Sequence, residues 1–252
     1  MQQGLPQPIA LADYQAPDYR TVNTDLIFDI HDGVTEVTST LDIQRQTSEG
    51  SVLQLDGQEL ELVSVELDGR LLSSNEFQID NEQLILRDLQ DQHQLRIVTR
   101  IHPEQNTALE GLYRSSKMYC TQCEAQGFRK ITYYQDRPDV LAKFRTTIIA
   151  DGVRYPNLLS NGNLVAEEQM ADGRKKVTWE DPFAKPCYLF ALVAGDLAVL
   201  EDQFTTMSGR DVALKIFSES HNIDQCHYAM DALKRSMRWD CLLYTSPSPR
   251  DS

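Results

Sequence analysis

The chain has 252 residues, of which 41% are hydrophobic and 25% are charged, and its formal net charge is -14 at pH 7. This composition is typical of a globular protein that buries one large core or two smaller ones. The acidity argues against nucleic acids and anionic membranes as partners, because both require clustered Lys and Arg. No apolar run approaches the roughly 20 residues that span a bilayer, and the polar start "MQQGLPQPIALADYQ" does not resemble a signal peptide. The sequence therefore predicts a cytoplasmic protein with no membrane partner.

The region from Thr21 to Ile101 has the two-residue period of half-buried strands. One predicted buried face consists of Leu26, Phe28 and Ile30. Another consists of Val37, Ser39, Leu41 and Ile43. Asp68-Gly69 lies inside "VELDGRLL" and predicts a hairpin turn. Turn signals recur along this region at intervals typical of an all-β sandwich.

A second strand-rich region follows, from Phe144 to Phe183, and it is divided by Asp151-Gly152, Asn161-Gly162 and Asp172-Gly173. No long amphipathic helix is predicted before about Asp196. The predicted fold is therefore mainly β, an antiparallel β-sandwich-like or saddle-shaped domain over residues 1–196. We expect less than about a third of the chain to be helical.

The pattern changes after residue 196. The run "FTTMSGRDVALKIFS" predicts a hairpin, and a helix is predicted from about Asp224 to Asp240. Asn222 is a suitable N-cap with Gln225 three residues later. One stripe of the helix contains Cys226, Met230, Leu233 and Met237. A helix this late has little of its own domain to pack on, so residues 197–240 are interpreted as the truncated start of a second domain, with part of the apolar stripe exposed.

The last twelve residues, 241–252, have no apolar period and contain Pro247 and Pro249. The segment Cys241–Asp251 matches one reading frame of a transposon-end sequencing adapter. We therefore interpret residues 241–252 as a non-native, adapter-derived tail, for which no defined packing is expected. A short native tail is the alternative, and the genomic locus distinguishes the two.

The stretch "CTQCEAQGFR" at residues 120–129 raises a question about chemistry. Cys120 and Cys123 have the spacing of a metal clip or a redox pair, or else they flank Gln122 and Glu124, which have the functional task. A structural zinc site needs about four ligands, and the chain supplies no second close pair of Cys or His. A redox pair requires a strand-to-helix setting that the surrounding strands do not provide. The residues therefore favour thiols that pack as structure.

A longer block, Asn106–Phe144, carries a specific resemblance. The runs "NTALEGLY", "CTQCEAQGFR" and "ITYYQDRPDVL" resemble the N-terminal domain of zinc aminopeptidases related to bacterial aminopeptidase N. The resemblance begins at "YRTVNTDLIFDI", continues through "YPNLLSNGN" and "DPFAKPCYLFALVAGDL", and reaches "SMRWD". It covers nearly all of residues 14–240 in order.

The resemblance implies roles for two side chains. In this family the loop with this motif reaches the catalytic cleft, where its Gln and Glu bind the substrate's free α-amino group. Those positions are Gln122 and Glu124 here. A carboxylate beside an amide makes charge-assisted hydrogen bonds with a terminal ammonium that an internal peptide cannot make. The resemblance also implies a cis peptide between Glu124 and Ala125.

The sequence departs from complete family members in one respect. They continue into a G-A-M-E-N segment, an H-E-x-x-H helix and a further Glu that bind substrate and zinc, and none of these is present in the 252 residues. The resemblance therefore implies an N-terminal fragment of an aminopeptidase that acts on peptides with a free N-terminus. Zinc is expected in the full-length enzyme, and neither zinc binding nor hydrolysis is expected of this chain. The alternative is a standalone, non-catalytic β binding module.

Overall fold

The computed structural model of the chain describes residues 11–47 and 51–245. These residues divide into two compact units, with the division between Ala194 and Gly195. Strands account for 52% of the structure and helices for 12%. The prediction of a mainly β chain with less than a third of its residues in helices is therefore confirmed.

The first unit is built from strands joined by short turns. Its strands are β1 (Tyr19–His31), β2 (Val34–Arg45), β3 (Leu53–Asp56), β4 (Glu61–Leu67), β5 (Arg70–Leu71), β6 (Gln78–Asp80), β7 (Gln83–Leu86), β8 (Gln92–Ile101), β9 (Gly111–Ser115), β10 (Met118–Gln122), β11 (Ala142–Asp151), β12 (Asn157–Ser160), β13 (Asn163–Gln169), β14 (Arg174–Lys185) and β15 (Leu192–Gly195). Short 3₁₀ helices are formed by Leu11–Asp13, Phe128–Lys130 and Cys187–Leu189.

An eight-stranded sheet has the order β13-β14-β11-β1-β2-β8-β4-β5. The predicted alternation is confirmed in its central strands, where Leu26, Phe28 and Ile30 are buried on β1 and Val37, Ser39, Leu41 and Ile43 are buried on β2. Strands β1 and β2 are antiparallel, whereas β1 and β11 are parallel, with Phe28 opposite Ile148. The sheet is thus antiparallel-rich with one long-range parallel pair.

Two smaller sheets complete the first unit, a four-stranded sheet of order β12-β15-β10-β9 and a three-stranded sheet of order β3-β7-β6. The core contains an aromatic cluster in which Phe128 contacts Tyr134 edge-on, with ring centroids 4.8 Å apart. Phe128 also meets Phe144 and Phe190 at 6.0 Å and 5.4 Å. These rings join the 3₁₀ helix Phe128–Lys130 to the eight-stranded sheet.

The predicted turns occur where the sequence indicates them. Asp68 and Gly69 have φ values of 52° and 78°, as a tight hairpin turn requires, and they connect the paired strands β4 and β5. Gly162 connects β12 to β13, which belong to different sheets. A Cβ at Gly162 would lie 2.2 Å from the Glu180 carbonyl oxygen, so this crossing requires glycine.

The second unit contains the antiparallel pair β16 (Ala198–Thr205) and β17 (Asp211–Ser218), a 3₁₀ turn (Ile223–Cys226) and the helix α1 (His227–Thr245). The predicted hairpin and helix are confirmed. Phe204, Leu214 and Met230 are buried together, and Met237 packs against them. Leu233, on the predicted stripe, is 37% exposed.

Four details of the predictions for the helix and the segment after it are corrected. The α-helix begins at His227 after the 3₁₀ turn, and it continues to Thr245 instead of ending at Asp240, because residues 241–245 contain neither proline nor glycine. Asn222 makes no side-chain capping bond, and the Gln225 amide reaches its Oδ1 at 3.4 Å instead. Cys241 packs against the second unit's buried cluster, contrary to the expectation of no packing. Residues 246–252 lie outside the described residues.

Candidate functional site

The hairpin β9–β10 positions the stretch that the sequence singled out. Gln122, the last residue of β10, lies opposite Gly111, the first residue of β9. The other edge of β10 pairs with β15 through Tyr119 and Cys120. In addition, the Thr121 hydroxyl accepts a hydrogen bond from the Leu192 backbone N–H at 2.8 Å. Gln122 therefore leaves a strand that is fixed on both sides.

A tight turn follows Gln122. The Gly127 N–H donates to the Cys123 carbonyl at 2.8 Å, and the intervening Glu124, Ala125 and Gln126 are exposed. The peptide between Glu124 and Ala125 is cis, as the resemblance implies. A Cβ at Gly127 would lie 2.5 Å from the Gln122 carbonyl oxygen, so only glycine allows the turn to close this tightly against the strand end.

The two predicted site residues, Gln122 and Glu124, are brought together by this turn. The Gln122 side-chain amide donates to the Glu124 backbone carbonyl at 3.2 Å, which leaves the Gln122 amide oxygen as an acceptor. Both side chains are exposed. Among the described residues, none forms a hydrogen bond or ion pair with the Glu124 carboxylate. The turn thus presents an amide oxygen and a carboxylate, both acceptors suited to a cationic donor.

The cysteines of the C-x-x-C stretch belong to the supporting structure. Cys123 is buried, and burial, with a smaller effect of the Asp136 charge, raises the pKa of its thiol to about 12. Cys120, one strand position from Tyr119, is only partly buried and is a free thiol. Since the thiolate is the form that binds metals and attacks disulfides, Cys123 is suited to neither task near neutral pH.

The described part of the chain contains no ligand set for a metal ion. Within residues 11–47 and 51–245, no three His, Cys, Asp or Glu side chains form a group that could hold a metal ion. A zinc site needs about four ligands, or three and an open position in a catalytic site. The described residues therefore do not fit a zinc centre, and no zinc chemistry is assigned to them.

Residues behind the turn anchor it to the core, and sequence reasoning missed them. The Arg129 backbone N–H and Nε both donate to Asp136 Oδ2, at 3.1 and 3.0 Å. The Asp136 side chain is only 1% exposed. Its Oδ1 also accepts a hydrogen bond from the Cys187 thiol, with Sγ 3.1 Å away. Burial, followed by the Asp136 charge, raises the pKa of Cys187 as well. The only sequence signal was the charged run "QDRPD" after two tyrosines.

The arrangement defines a class of site, a pair of exposed acceptors for a small cationic group. A mainly β domain holds an exposed turn through strand pairing on both sides of β10, and the turn offers paired acceptors to which no cation among the described residues is bound. Such a site suits a small cationic group, for which charge-assisted hydrogen bonds supply both affinity and orientation. Within the described residues, no helix combines the length and apolar character needed to cross a bilayer.

Comparison with known proteins identifies the family. Residues 16–189 match the model of the Peptidase M1 N-terminal domain, and the chain belongs to this family. Aminopeptidase N of Escherichia coli strain K12 is 49% identical over 235 residues, which are 93% of this chain and 27% of that protein. The chain thus spans about a quarter of the length of this relative. The resemblance found in the sequence is confirmed.

Solved structures of M1 peptidases also resemble this chain. Aminopeptidase A of Legionella pneumophila, solved in complex with aspartic acid, superposes with a TM-score of 0.87 at 34% identity, covering 91% of this chain and 27% of that one. An M1 zinc metallopeptidase mutant from Deinococcus radiodurans, bound to a Tyr-Ser-Ala substrate, has a TM-score of 0.65 at 16% identity over 81% of this chain and 48% of that one. The second likeness concerns the fold alone.

Proposed function

We propose that this chain is the N-terminal part of a zinc aminopeptidase, and that Gln122 and Glu124 bind the α-ammonium group of a peptide substrate. The observation that carries the proposal is the pair of acceptors on the turn, the Gln122 amide oxygen and a Glu124 carboxylate without a partner among the described residues. An ammonium group has three N–H donors and a positive charge, which match an amide oxygen beside a carboxylate. An internal peptide N–H has neither the charge nor the donors, so this pair selects chain ends.

The domain assignment belongs to the same proposal. Residues 1–196 form the N-terminal β domain, residues 197–240 begin the catalytic domain, and residues 241–252 are the adapter-derived tail. The division of the described residues between Ala194 and Gly195 is consistent with the first boundary. The full-length enzyme binds zinc and acts in the cytoplasm on peptides with a free N-terminus, without nucleic acid or membrane partners. The standalone binding module is the competing outcome.

The 252-residue chain is proposed to be inactive by itself. Zinc in such enzymes polarises the scissile carbonyl and activates a water molecule, and the described residues contain no ligand group for it. We expect the purified chain with added zinc to release no product from an aminoacyl anilide. Zinc-dependent turnover above the protein-free rate would contradict this part of the proposal.

The substrate-binding role is tested by transplanting the chain into a working enzyme. In a chimera, residues 14–240 replace the matching segment of the Escherichia coli aminopeptidase N, and the chimera is expected to hydrolyse aminoacyl anilides. Glu124→Ala in the chimera should raise KM and lower kcat/KM by about 10- to 150-fold, because a hydrogen bond to a charged group contributes about 1.5 to 3 kcal/mol.

Glu168→Ala is the matched control, since Glu168 is an exposed acid on β13. Its effect on kcat/KM should stay below about twofold. A Glu124→Ala chimera with the kcat/KM of its parent would overturn the proposed role. Sequencing the genomic locus separates the remaining alternatives: an H-E-x-x-H motif downstream of Asp240 supports the enzyme, and a stop codon there supports the binding module.

A further inference from the structure

Lys130 is a buried charged residue directly behind the substrate turn. Its side chain is 7% exposed, and Nζ lies 3.5 Å from one carboxylate oxygen of Glu59 and 3.5 Å from one of Glu110. Both distances are at the outer limit of a hydrogen bond. A buried ammonium with three donors is costly unless these donors are satisfied. The described partners of Lys130 therefore leave its hydrogen-bonding capacity largely unused.

Asn106 also lies behind the turn, and its side chain hydrogen-bonds to the backbone around Gly111. Its amide nitrogen donates to the Glu110 carbonyl at 2.7 Å and to the Leu112 carbonyl at 3.0 Å, which fixes the backbone on both sides of Gly111. Its amide oxygen is buried and has no partner among the described residues. Both donors of the Asn106 amide are therefore committed to one short stretch of backbone.

Lys130 and Asn106 line the same cavity, which has a volume of about 230 Å³ and is also lined by Glu59, His102 and Leu112. The Asn106 amide oxygen itself has almost no accessible surface. Asn106 therefore acts through its two donated bonds, and Lys130 acts on the same stretch of backbone through its ion pair with Glu110, the residue before Gly111.

This cavity adjoins the backbone that fixes Gln122. Gly111 pairs with Gln122 in the hairpin ladder, and a Cβ at Gly111 would lie 2.9 Å from Lys130 Cβ. The Asn106 amide nitrogen donates hydrogen bonds to the carbonyls on either side of the same glycine. A change at either Lys130 or Asn106 would therefore shift the strand end from which Gln122 projects.

We propose that Lys130 and Asn106 form a positioning site that holds Gln122 in register for ammonium recognition. The inference rests on the proposed function of Gln122 and Glu124. Lys130 and Asn106 do not touch the substrate, so they act through the backbone at Gly111. Small displacements of a binding group are costly, since about 1 Å of misplacement can reduce activity about a hundredfold.

The kinetic test uses the chimera. Lys130→Met keeps the length of the side chain and removes the charge; it should raise KM for aminoacyl anilides about tenfold with kcat changed less than about twofold, because ground-state recognition is what is lost. Lys130→Arg should restore most of the affinity. Lys175→Met is the matched control: this lysine is also largely buried, with a side chain 15% exposed and an ion pair to Glu167 at 2.8 Å, but it lies on β14, and its loss should leave KM unchanged.

Asn106→Ser provides a second variant if the Lys130→Met chimera does not fold, and it is expected to raise KM in the same direction. A KM unchanged in both variants, while Glu124→Ala still raises it, would overturn this inference and leave the proposed function intact. A KM unchanged in all three would overturn both. An equal rise in KM for Lys175→Met would reduce the effect to general stability and would also overturn the inference.

Discussion

The turn that follows Gln122 in the first unit and the helix α1 of the second unit both expose side chains, but these are of opposite character. The turn exposes polar acceptors, Gln122 and Glu124, on a backbone anchored by fully buried Phe128. The helix exposes large apolar groups, Tyr228 at 75% and Trp239 at 64%. Its own unit has a cluster of only three buried hydrophobic residues among those described.

Exposed side chains therefore have different meanings in the two units. An exposed acceptor on a support that is hydrogen-bonded on both sides is presented to a ligand at a defined position, and such preorganisation reduces the entropy cost of binding. Exposed aromatic groups over a small cluster indicate a unit with little burial of its own, and a unit with little burial is of low stability. The first unit is therefore expected to unfold separately from, and after, the second.

The largest expected effect concerns the anchor of the turn. Phe128→Ala should destabilise the first unit by about 3 to 5 kcal/mol, because it removes a ring packed among aromatic neighbours and leaves a cavity. Urea unfolding can be followed by fluorescence in a Trp239→Phe background. The sequence contains two tryptophans, so Trp179, whose Nε1 donates to the Leu158 carbonyl, then reports on the first unit alone.

Phe183→Ala is the control for this experiment. Phe183 is an aromatic residue of the same unit that is 78% exposed, and its replacement should change the free energy of unfolding by less than about 0.5 kcal/mol. Equal losses in the two variants would show that Phe128 does not anchor the turn more than a surface ring does.

The fold was largely predictable where it depends on local pattern. The alternation at Leu26, Phe28 and Ile30 predicted the buried face of β1, and Asp68-Gly69 predicted the β4–β5 hairpin. Periodicity says nothing about which distant strands pair, so the parallel pairing of β1 with β11 was not predictable. The end of α1 was placed five positions too early, at residue 240 instead of 245, because the origin of a segment does not determine whether its residues continue a helix.

The candidate site was suggested by the sequence only through family resemblance. Composition and spacing favoured structural thiols in the C-x-x-C stretch, and only the resemblance pointed to Gln122 and Glu124. The supporting contacts were not predicted, because they join residues that are distant in sequence. The Cys187 thiol donates a hydrogen bond to Asp136, 51 positions away, and Lys130 donates one to Glu59, 71 positions away. No sequence period encodes such pairs. They become visible only when the strands are assembled.

An intermediate effect concerns pH and the buried thiol behind the turn. Burial, with a smaller contribution from the Asp136 charge, raises the pKa of Cys123 to about 12, above the value of about 8.5 in the unfolded chain. A raised folded-state pKa contributes stability that is fully present below about pH 8.5 and is lost as the pH rises toward 12. Between pH 7.5 and 9.5 this thiol alone should cost the first unit about 1.4 kcal/mol.

Cys123→Ala isolates this contribution, because the other cysteines remain in both proteins. The variant is less stable than its parent at pH 7.5, and the difference between them should shrink by about 1.4 kcal/mol at pH 9.5. Urea unfolding at the two pH values measures it. A difference that stays constant with pH would mean that Cys123 titrates in the folded protein as it does in the unfolded chain.

The smallest expected effect is on the exposed face of α1. Tyr228→Gln should cost the second unit only about 0.5 kcal/mol, since this ring is mostly exposed and its one described aromatic contact is the guanidinium of Arg235, 5.6 Å from the ring centroid. Met230→Ala, two residues along the same helix and 4% exposed in its parent, should cost about 2 kcal/mol or more. Circular dichroism at the helical band follows α1 during urea unfolding, because the first unit is mainly β. If Tyr228→Gln were as costly as Met230→Ala, the ring would be covered in solution, and the contrast between a supported turn and a sparsely packed helix would not hold.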